Sequence, residues 1–556
     1  MKDKGGHSSS AADSHHHCHH HHNAEAEIPK SNMVASHVCG VCGTEASLVC
    51  GGCSSVFYCS KEHQKQHWGS HKKECHPYKT VASPEAGKYL TASRRLREGQ
   101  ILFQEFPLMT GPVSVSPLVC LGCHCAIEGN DFPRCPECYW PLCSLSCASG
   151  TIHQKECPVL AKDTRRIGPP TSQGPPTLRY DSILLLRCLS LRFDRPSDWE
   201  TMLDMVSHAE HYQKAQDMVH TVTVRYVKEV LKVDLDNDII HQIRGAIAAN
   251  SIEIRNIDGT KIRAVYPRVR LLNHACTPNV HLTSTKEGAM EVRTAVSIDK
   301  GEPLYICYTG TTLPLWERQR ILKDTYFFRC ECNRCIDPTE LGTHYSSPKC
   351  PECSNRYLKP QSWVNQTTWE CDNCRTERSD TEIQEHVKEW EERFSMDDVF
   401  SQKSVKQIKK MIDYIESEFH ARHHVWLTAA QAALRELKSI DTEHSLRLRA
   451  ELWSKLLSLL SVLEPGLSRR RGIVLLETGI AFLDEAKSEH ESGNAFVPQL
   501  TERLQIAATH LKEAAHILGL EPPDSQTAPL ASKAQEKVVM TENFLTRLQD
   551  GAVRAE

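Results

Sequence analysis

Twenty-one of the 25 cysteines in this 556-residue chain fall into spacings that read as metal sites. This pattern constrains the fold more than any hydrophobic one, because four soft ligands closing on one ion fix loops that have no core of their own. Clustered cysteines mean disulfides in an oxidising compartment and metal sites in a reducing one. The opening thirty residues carry no apolar signal-peptide core, and runs such as Ile183–Leu186 fall far short of the ~20 residues needed to cross a bilayer. The expected setting is the cytoplasm or nucleus, with the cysteines on zinc and no membrane contact.

Four clusters follow along the chain. The first is Cys39-x2-Cys42-x7-Cys50-x2-Cys53-x5-Cys59-x3-His63-x7-His71-x3-Cys75, enough for two tetrahedral sets of four. His67 is a rival to His63 but falls off the ligand spacing. The second, Cys120-x2-Cys123-x11-Cys135-x2-Cys138-x4-Cys143-x3-Cys147-x5-His153-x3-Cys157, repeats the ligand order and leaves Cys125 as a spare thiol. The third, Cys330-x-Cys332-x2-Cys335, has three thiolates and is one short of a closed site. The fourth, Cys350-x2-Cys353-x17-Cys371-x2-Cys374, has the spacing of a zinc ribbon.

Length predicts roughly three or four domains at ~100 to 200 residues each. A hydrophobic content of 40% can fill a core, and a formal charge of -4 argues against direct nucleic-acid binding. Residues 1–35 hold His15–His17, Cys18 and His19–His22 among Ser, Ala and Gly and read as a disordered tail. The Pro/Gly-rich stretch Ile167–Thr177 reads as a surface loop, residues 181–250 as a mainly helical insert, and 385–550 as paired amphipathic helices broken at Pro465-Gly466, Gly493-Asn494 and Pro522-Pro523. Gly87–Ala92 and the alternating segment ending at Glu105, with a Glu98-Gly99 turn, read as a β-hairpin.

The run Phe57-Tyr58-Cys59-Ser60-Lys61-Glu62-His63-Gln64, followed by Trp68, His71 and Cys75, resembles a MYND finger. The resemblance implies interleaved ligands, with Cys39, Cys42, Cys59 and His63 on one ion and Cys50, Cys53, His71 and Cys75 on the other, and a face that docks proline-containing peptides of partner proteins. The second finger lacks the Gln and Trp of that face, so a structural role is expected for it.

Gly87-Lys88-Tyr89-Leu90-Thr91-Ala92, Asn273-His274-Ala275-Cys276-Thr277-Pro278-Asn279, Gly301-Glu302-Pro303-Leu304-Tyr305-Ile306-Cys307-Tyr308 and Tyr326-Phe327-Phe328-Arg329-Cys330 come in this order around an inserted finger. Together they are similar to a SET domain of the SMYD type over about 80–340, most like the arthropod SmydA branch. The resemblance implies an α+β fold, and an S-adenosylmethionine-dependent enzyme that methylates a lysine of a protein substrate, histone or non-histone. By it, Tyr308 and Tyr326 are the catalytic candidates, while Ala86, Gly87, Lys88, Asn273, His274, Tyr308 and Phe328 approach the cofactor. Phe327 and Phe328 join Tyr326 in walling the lysine channel. Cys276 supplies the missing fourth ligand to Cys330, Cys332 and Cys335, which brings the expected structural zinc to about six ions. Tyr89 stands where the family has glycine and Ala275 where it has serine; the tyrosine would crowd the cofactor.

The expected organisation is a tail (1–35), a MYND-type finger (36–78), the first SET part (80–119), a second MYND-like finger (120–157), a linker and helical insert (158–250), the SET core (251–310), a post-SET zinc segment (311–340), a zinc ribbon (341–380) and an α-helical, tetratricopeptide-like domain (381–556). A rival reading keeps this fold as scaffold for an inactive adaptor or corepressor acting through the fingers and the helical tail.

Overall fold

The computed structural model describes residues 38–555 apart from 51–55, 73–74, 115, 130, 166–179, 286, 354, 362–366, 395–398, 494–495, 524 and 526. The His-rich tail, Cys53 and the Ile167–Thr177 loop lie outside them. The chain divides into two compact units, Met1–Gly51 with Val56–Lys72, and Gly52–Ser55 with Lys73–Glu556.

In the first unit β1 (Leu48–Val49) pairs antiparallel with β2 (Phe57–Tyr58). Helix α1 (Lys61–His71) starts at Ser60, whose Oγ accepts the His63 amide at 3.2 Å. That cap satisfies an orphan N–H of the first turn and fixes where the His63 ring leaves the helix.

The second unit begins with β3 (Tyr78–Ser83), β4 (Gly87–Ala92), β5 (Ile101–Glu105) and β6 (Met109–Pro112). After the second finger, which ends in α2 (Cys157–Leu160), come the insert helices α3 (Tyr180–Asp194), α4 (Pro196–Leu203), α5 (Ala209–Lys214), α6 (Met218–Arg225) and α7 (Asn237–Asn250). The chain then returns to strands: β7 (Ser251–Arg255), β8 (Lys261–Val265), β9 (Asn273–His274), β10 (Val280–Ser284), β11 (Met290–Thr294) and β12 (Tyr305–Ile306). Two three-stranded sheets, β10-β11-β5 and β6-β8-β7, lie with the β3-β4 hairpin and the parallel pair β12-β9 around one core that includes Leu90, Phe103, Tyr266, Leu272, Val292 and Leu304.

The hairpin expected across Glu98-Gly99 does not form. β4 pairs with β3, turning at Gly87 with φ +63°, and its other edge is taken by Leu304, whose amide donates to the Leu90 carbonyl at 2.9 Å. With both edges of β4 occupied, β5 pairs with β11 instead. Alternation reports a strand's buried face, not its neighbour.

Helix α3 is buried along almost its whole length and shares a core with the second finger, where Trp140 and Leu142 meet Ile183 and Leu186. Beyond β12 follow α8 (Leu315–Tyr326), α9 (Asn333–Ile336) and the ribbon strands β13 (Leu358–Pro360), β14 (Thr368–Cys371) and β15 (Glu377–Ser379). Helices α10 (Asp380–Phe394), α11 (Val405–Glu418), α12 (His424–Leu437), α13 (Glu443–Leu463), α14 (Arg469–Glu491), α15 (Val497–Gly519) and α16 (Ala528–Ala555) complete the chain. The ribbon has no separate interior: Leu358, Trp369 and Cys371 are buried with Ile383, Trp390 and Trp426 of the helices.

Between α13 and α14 the Pro465-Gly466 break touches the SET sheet. Leu467 donates its amide to the Ala295 carbonyl at 2.8 Å, and a Cβ on Gly466 would come within 1.9 Å of that same oxygen.

Candidate active site and metal centres

The strand pair β9-β12 sets Tyr305 opposite Asn273 and Ile306 opposite His274. Asn279 locks the pair, since its Oδ1 accepts the Tyr305 amide at 2.6 Å and its Nδ2 donates to the Pro303 carbonyl at 2.9 Å. The approach to β9 is held from below by Glu105. This buried carboxylate at the end of β5 accepts the amides of Arg268 and Val269 at 2.9 Å and so caps the 3-10 turn Val269–Leu271. Nothing in the sequence patterns marked Glu105 for that task.

His274 is buried, and burial pulls its imidazole down to about 4, so the ring is neutral. Its Nδ1 accepts the Tyr308 amide at 3.0 Å, which puts the ring proton on Nε2, 3.4 Å from the Cys276 sulfur. The Tyr308 hydroxyl donates to the Leu272 carbonyl at 2.6 Å. Burial pushes this phenol up, with Tyr326 beside it adding to the effect, so it keeps its proton. The Tyr308 ring lies 4.9 Å from that of Tyr326 and 5.3 Å from His274, and Phe328 lies 6.1 Å from His274. Phe327 departs from the expected channel wall. As the left-handed C-cap of α8 it points its ring among His208, His211 and Tyr212 of the insert, and the Tyr212 hydroxyl donates to the Thr325 carbonyl at 3.1 Å.

The candidates on β4 sit across from this pair. Ala86 and Gly87 form the exposed hairpin turn, and the Lys88 ammonium reaches both oxygens of Asp204, just past α4, at 2.8 and 2.7 Å. Tyr89 lies near Tyr305, whose phenol is raised by burial and then by Tyr89. The substitution for glycine therefore stands near β12, the partner of the strand that carries Asn273.

Cys276, Cys330, Cys332 and Cys335 bring their sulfurs within 4.8 Å of one another, with Cys276 3.5 Å from Cys335 and 4.0 Å from Cys330. A tetrahedron of Zn–S bonds has edges of about 3.8 Å, so the donor set fits zinc. Around it the buried guanidiniums of Arg318 and Arg334 both donate to Glu340, at 2.7 and 3.1 Å, and Arg318 also lies 3.8 Å from the Cys335 sulfur. Four thiolates on a divalent ion carry net negative charge, which this pair of cations offsets.

The second finger gathers Cys120, Cys123, Cys143 and Cys147 at one site and Cys135, Cys138, His153 and Cys157 at another, the interleaved order of the first finger. Its buried His153 gives Nδ1 to Glu156 at 3.0 Å, and Glu156 is in turn held by the fully buried Arg187 of α3 at 2.7 and 2.8 Å. Arg187 also donates to the carbonyls of Thr110 on β6 and Leu121 in the finger. A charged residue inside the apolar run Leu184-Leu185-Leu186-Arg187-Cys188-Leu189 was the sequence signal for it. Cys125 stands apart from both sets, its sulfur 3.6 Å from the Asn256 side-chain amide.

In the ribbon Cys350, Cys353, Cys371 and Cys374 converge. In the first unit Cys39, Cys42, Cys59 and His63 converge, while His67 is bonded to the Tyr58 hydroxyl at 3.0 Å. Cys50 lies 3.2 Å from His71; of their expected partners, Cys53 is outside the described residues and Cys75 belongs to the second unit.

Beside β9 the unengaged donors are of one kind. The Asn273 carboxamide makes no hydrogen bond among the described residues, and Arg270, with its side chain 8% exposed, has an unpartnered Nε. With Lys88 and the Phe328 ring they suit a ligand that carries a carboxylate and a planar or cationic part.

Two family matches bracket this geometry: residues 39–75 match the MYND finger and residues 87–309 the SET domain. They define a SET-domain chain with an N-terminal MYND finger and further cysteine-rich zinc sites. The chain is 28% identical over 328 residues to SET domain-containing protein SmydA-8, isoform B, of Drosophila melanogaster, covering 55% of this chain and 69% of that protein. It is 27% identical over 267 residues to N-lysine methyltransferase SMYD2 of Gallus gallus (46% and 58% covered) and 26% identical over 273 residues to histone-lysine N-methyltransferase SMYD3 of Mus musculus (45% and 59%). A MYND finger and a SET domain in one chain, with these relatives, support the SMYD family with similarity to its SmydA members. No helix among the described residues is long and apolar enough to cross a membrane.

Proposed function

We propose that this protein transfers a methyl group from S-adenosylmethionine to a lysine side chain of a protein substrate. The observation that carries the reading is the Tyr308 phenol, half-buried and protonated, with its hydrogen committed to the Leu272 carbonyl and its ring against Tyr326 and His274. When bound, the cofactor supplies an electrophilic methyl whose C–S bond breaks as the lysine nitrogen bonds to carbon.

The protein's own groups would do the rest. With its hydrogen given to Leu272, the Tyr308 oxygen keeps lone pairs that can hold an amine N–H and make favourable contact with a polarised methyl. An aromatic wall of Tyr308 and Tyr326 removes water from the incoming lysine, which lowers its pKa and favours the neutral nucleophile. Asn273, Lys88 and Phe328 would hold the cofactor. The His274 ring couples the Tyr308 backbone to Cys276, so the third-cluster zinc would set the geometry of the reacting site.

Six structural zinc ions are part of this reading, with each set closed by four protein ligands. The first finger would dock proline-containing segments of partners, using an exposed face that includes Trp68. Histone and other nuclear or cytoplasmic lysines are both accommodated by the reading. One sequence feature favours the adaptor instead: Tyr89 stands where the family has glycine, and its bulk would crowd the cofactor.

The test is methyl transfer from labelled S-adenosylmethionine to lysine peptides by zinc-loaded protein, beside calorimetry of cofactor binding. Micromolar binding lost in Asn273→Ala, with transfer cut at least a hundredfold in Tyr308→Phe, is the expected result. Intact protein that neither binds cofactor nor transfers methyl would sink the enzyme reading.

A further inference from the structure

The contact between β4 and the helical insert holds a carboxylate in a particular way. Asp204 presents both oxygens to the Lys88 ammonium, and its Oδ2 lies 3.7 Å from Nη2 of Arg270. Lys88 and Asp204 are half exposed, whereas the Arg270 side chain is 8% exposed. Among the described residues Arg270 has no ion-pair partner but Asp204, and its Nε has no hydrogen-bond partner. A buried guanidinium with an open N–H edge is a fork waiting for a second oxygen.

Its position in the chain gives the fork a direction. Arg270 lies in the turn capped by Glu105, three residues before Asn273, and that turn packs on β4. The two cations therefore stand on β4 and on the turn that leads into β9, the strand carrying Asn273, whose carboxamide makes no hydrogen bond among the described residues. An exposed Lys-Asp pair is weak and exchangeable, so the carboxylate seen here can give way to another.

We propose that Lys88 and Arg270 form the seat for the carboxylate of the cofactor's amino-acid end, and that Asp204 of the insert competes for that seat. The inference rests on the methyltransferase reading and adds to it two residues, Arg270 as a binding group and Asp204 as an internal competitor. A bound carboxylate takes both cations and leaves Asp204 to swing into solvent, which its half-exposed site permits. Cofactor entry and the position of the α4 end are then coupled, because the same charge pair serves both.

Calorimetry with two ligands tests this on the full zinc-loaded protein. S-adenosylhomocysteine carries the carboxylate; methylthioadenosine shares the nucleoside and lacks it. Asp204→Asn should tighten S-adenosylhomocysteine about tenfold at low salt and leave methylthioadenosine unchanged, and Arg270→Gln should weaken only the former. Wild-type binding that Asp204→Asn does not alter, or a gain equal for both ligands, would overturn the proposal and leave the methyltransferase reading standing. Absence of binding of either ligand to wild-type and Asp204→Asn protein would overturn both. Because Asp204 is half exposed, its variant keeps the core intact; circular dichroism and zinc content check that for both proteins.

Discussion

Gly466→Ala separates two effects that usually arrive together. Gly466 has φ +72°, and so does Gly493, but a Cβ at Gly493 meets nothing within 4 Å, whereas one at Gly466 would lie 1.9 Å from the Ala295 carbonyl oxygen and 2.7 Å from Val296 Cγ1. The left-handed backbone costs alanine about 1 kcal/mol at either position. At Gly466 the clash is with backbone, so the turn must lift from the sheet. Lifting it breaks the Leu467 to Ala295 hydrogen bond, worth about 1 kcal/mol, and partly exposes the buried Leu467 side chain, worth about 1.5 kcal/mol. The expected costs are then about 3 to 4 kcal/mol for Gly466→Ala and about 1 for Gly493→Ala. Urea unfolding of both variants under one protocol measures the difference, and limited proteolysis between α13 and α14 should find a newly sensitive site only in Gly466→Ala. Equal destabilisation of the two would refute the idea that this turn anchors the helical tail on the SET sheet.

Three further outcomes follow from the same structure. Burial would raise the Glu521 carboxyl, but His281 at 3.0 Å and Arg469 at 2.8 Å more than offset it and hold it at about 2, below the ordinary 4.5. A depressed carboxyl contributes stability that is present above its unfolded value and lost as pH falls through the folded one; wild type should therefore lose about 3 kcal/mol relative to Glu521→Gln between pH 4.5 and 2, read from denaturation midpoints at each pH. Arg187→Met leaves Glu156 buried without its cation and should destabilise by about 3 to 5 kcal/mol, and adding Glu156→Gln should recover part of that in a double-mutant cycle. Cys332→Ser should lower bound zinc by about one ion per chain, by atomic emission, and weaken cofactor binding through the Cys276–His274–Tyr308 chain; full cofactor affinity with that ion missing would contradict the coupling.

The metal clusters were legible because ligand spacing is a local code: Cys39 with Cys42, or Cys371 with Cys374, needs only a knuckle to converge. Cys276 came from resemblance alone, since its three partners lie more than fifty residues away. The helical tail was legible from periodicity and from its Pro and Gly breaks. The pairing of β5 with β11 was not, because alternating residues state which face is buried and leave the partner open. Charged groups buried by tertiary contacts were hidden for a similar reason. Glu105 looks like a solvated surface residue until the turn it caps, more than 160 residues on, is folded against it, and Glu340 and Arg318 look so until the metal cluster closes around them.

The third zinc cluster does not end at its ligands. Arg334 donates to the Thr311 carbonyl at 2.6 Å, the Thr311 hydroxyl bonds Glu464 at the end of α13, and Arg470 of α14 closes on Glu464 at 3.0 Å. Ribosomal synthesis runs the other way: Cys335 emerges well before Glu464. All four ligands and the Arg318–Arg334–Glu340 pairing are therefore made before the Glu464 clasp that fastens this site to the helical tail. A chain cut before Glu464 would keep the ligands and their charge pairing and lose only the clasp, so the metal site and the docking of the tail are separable stages of assembly.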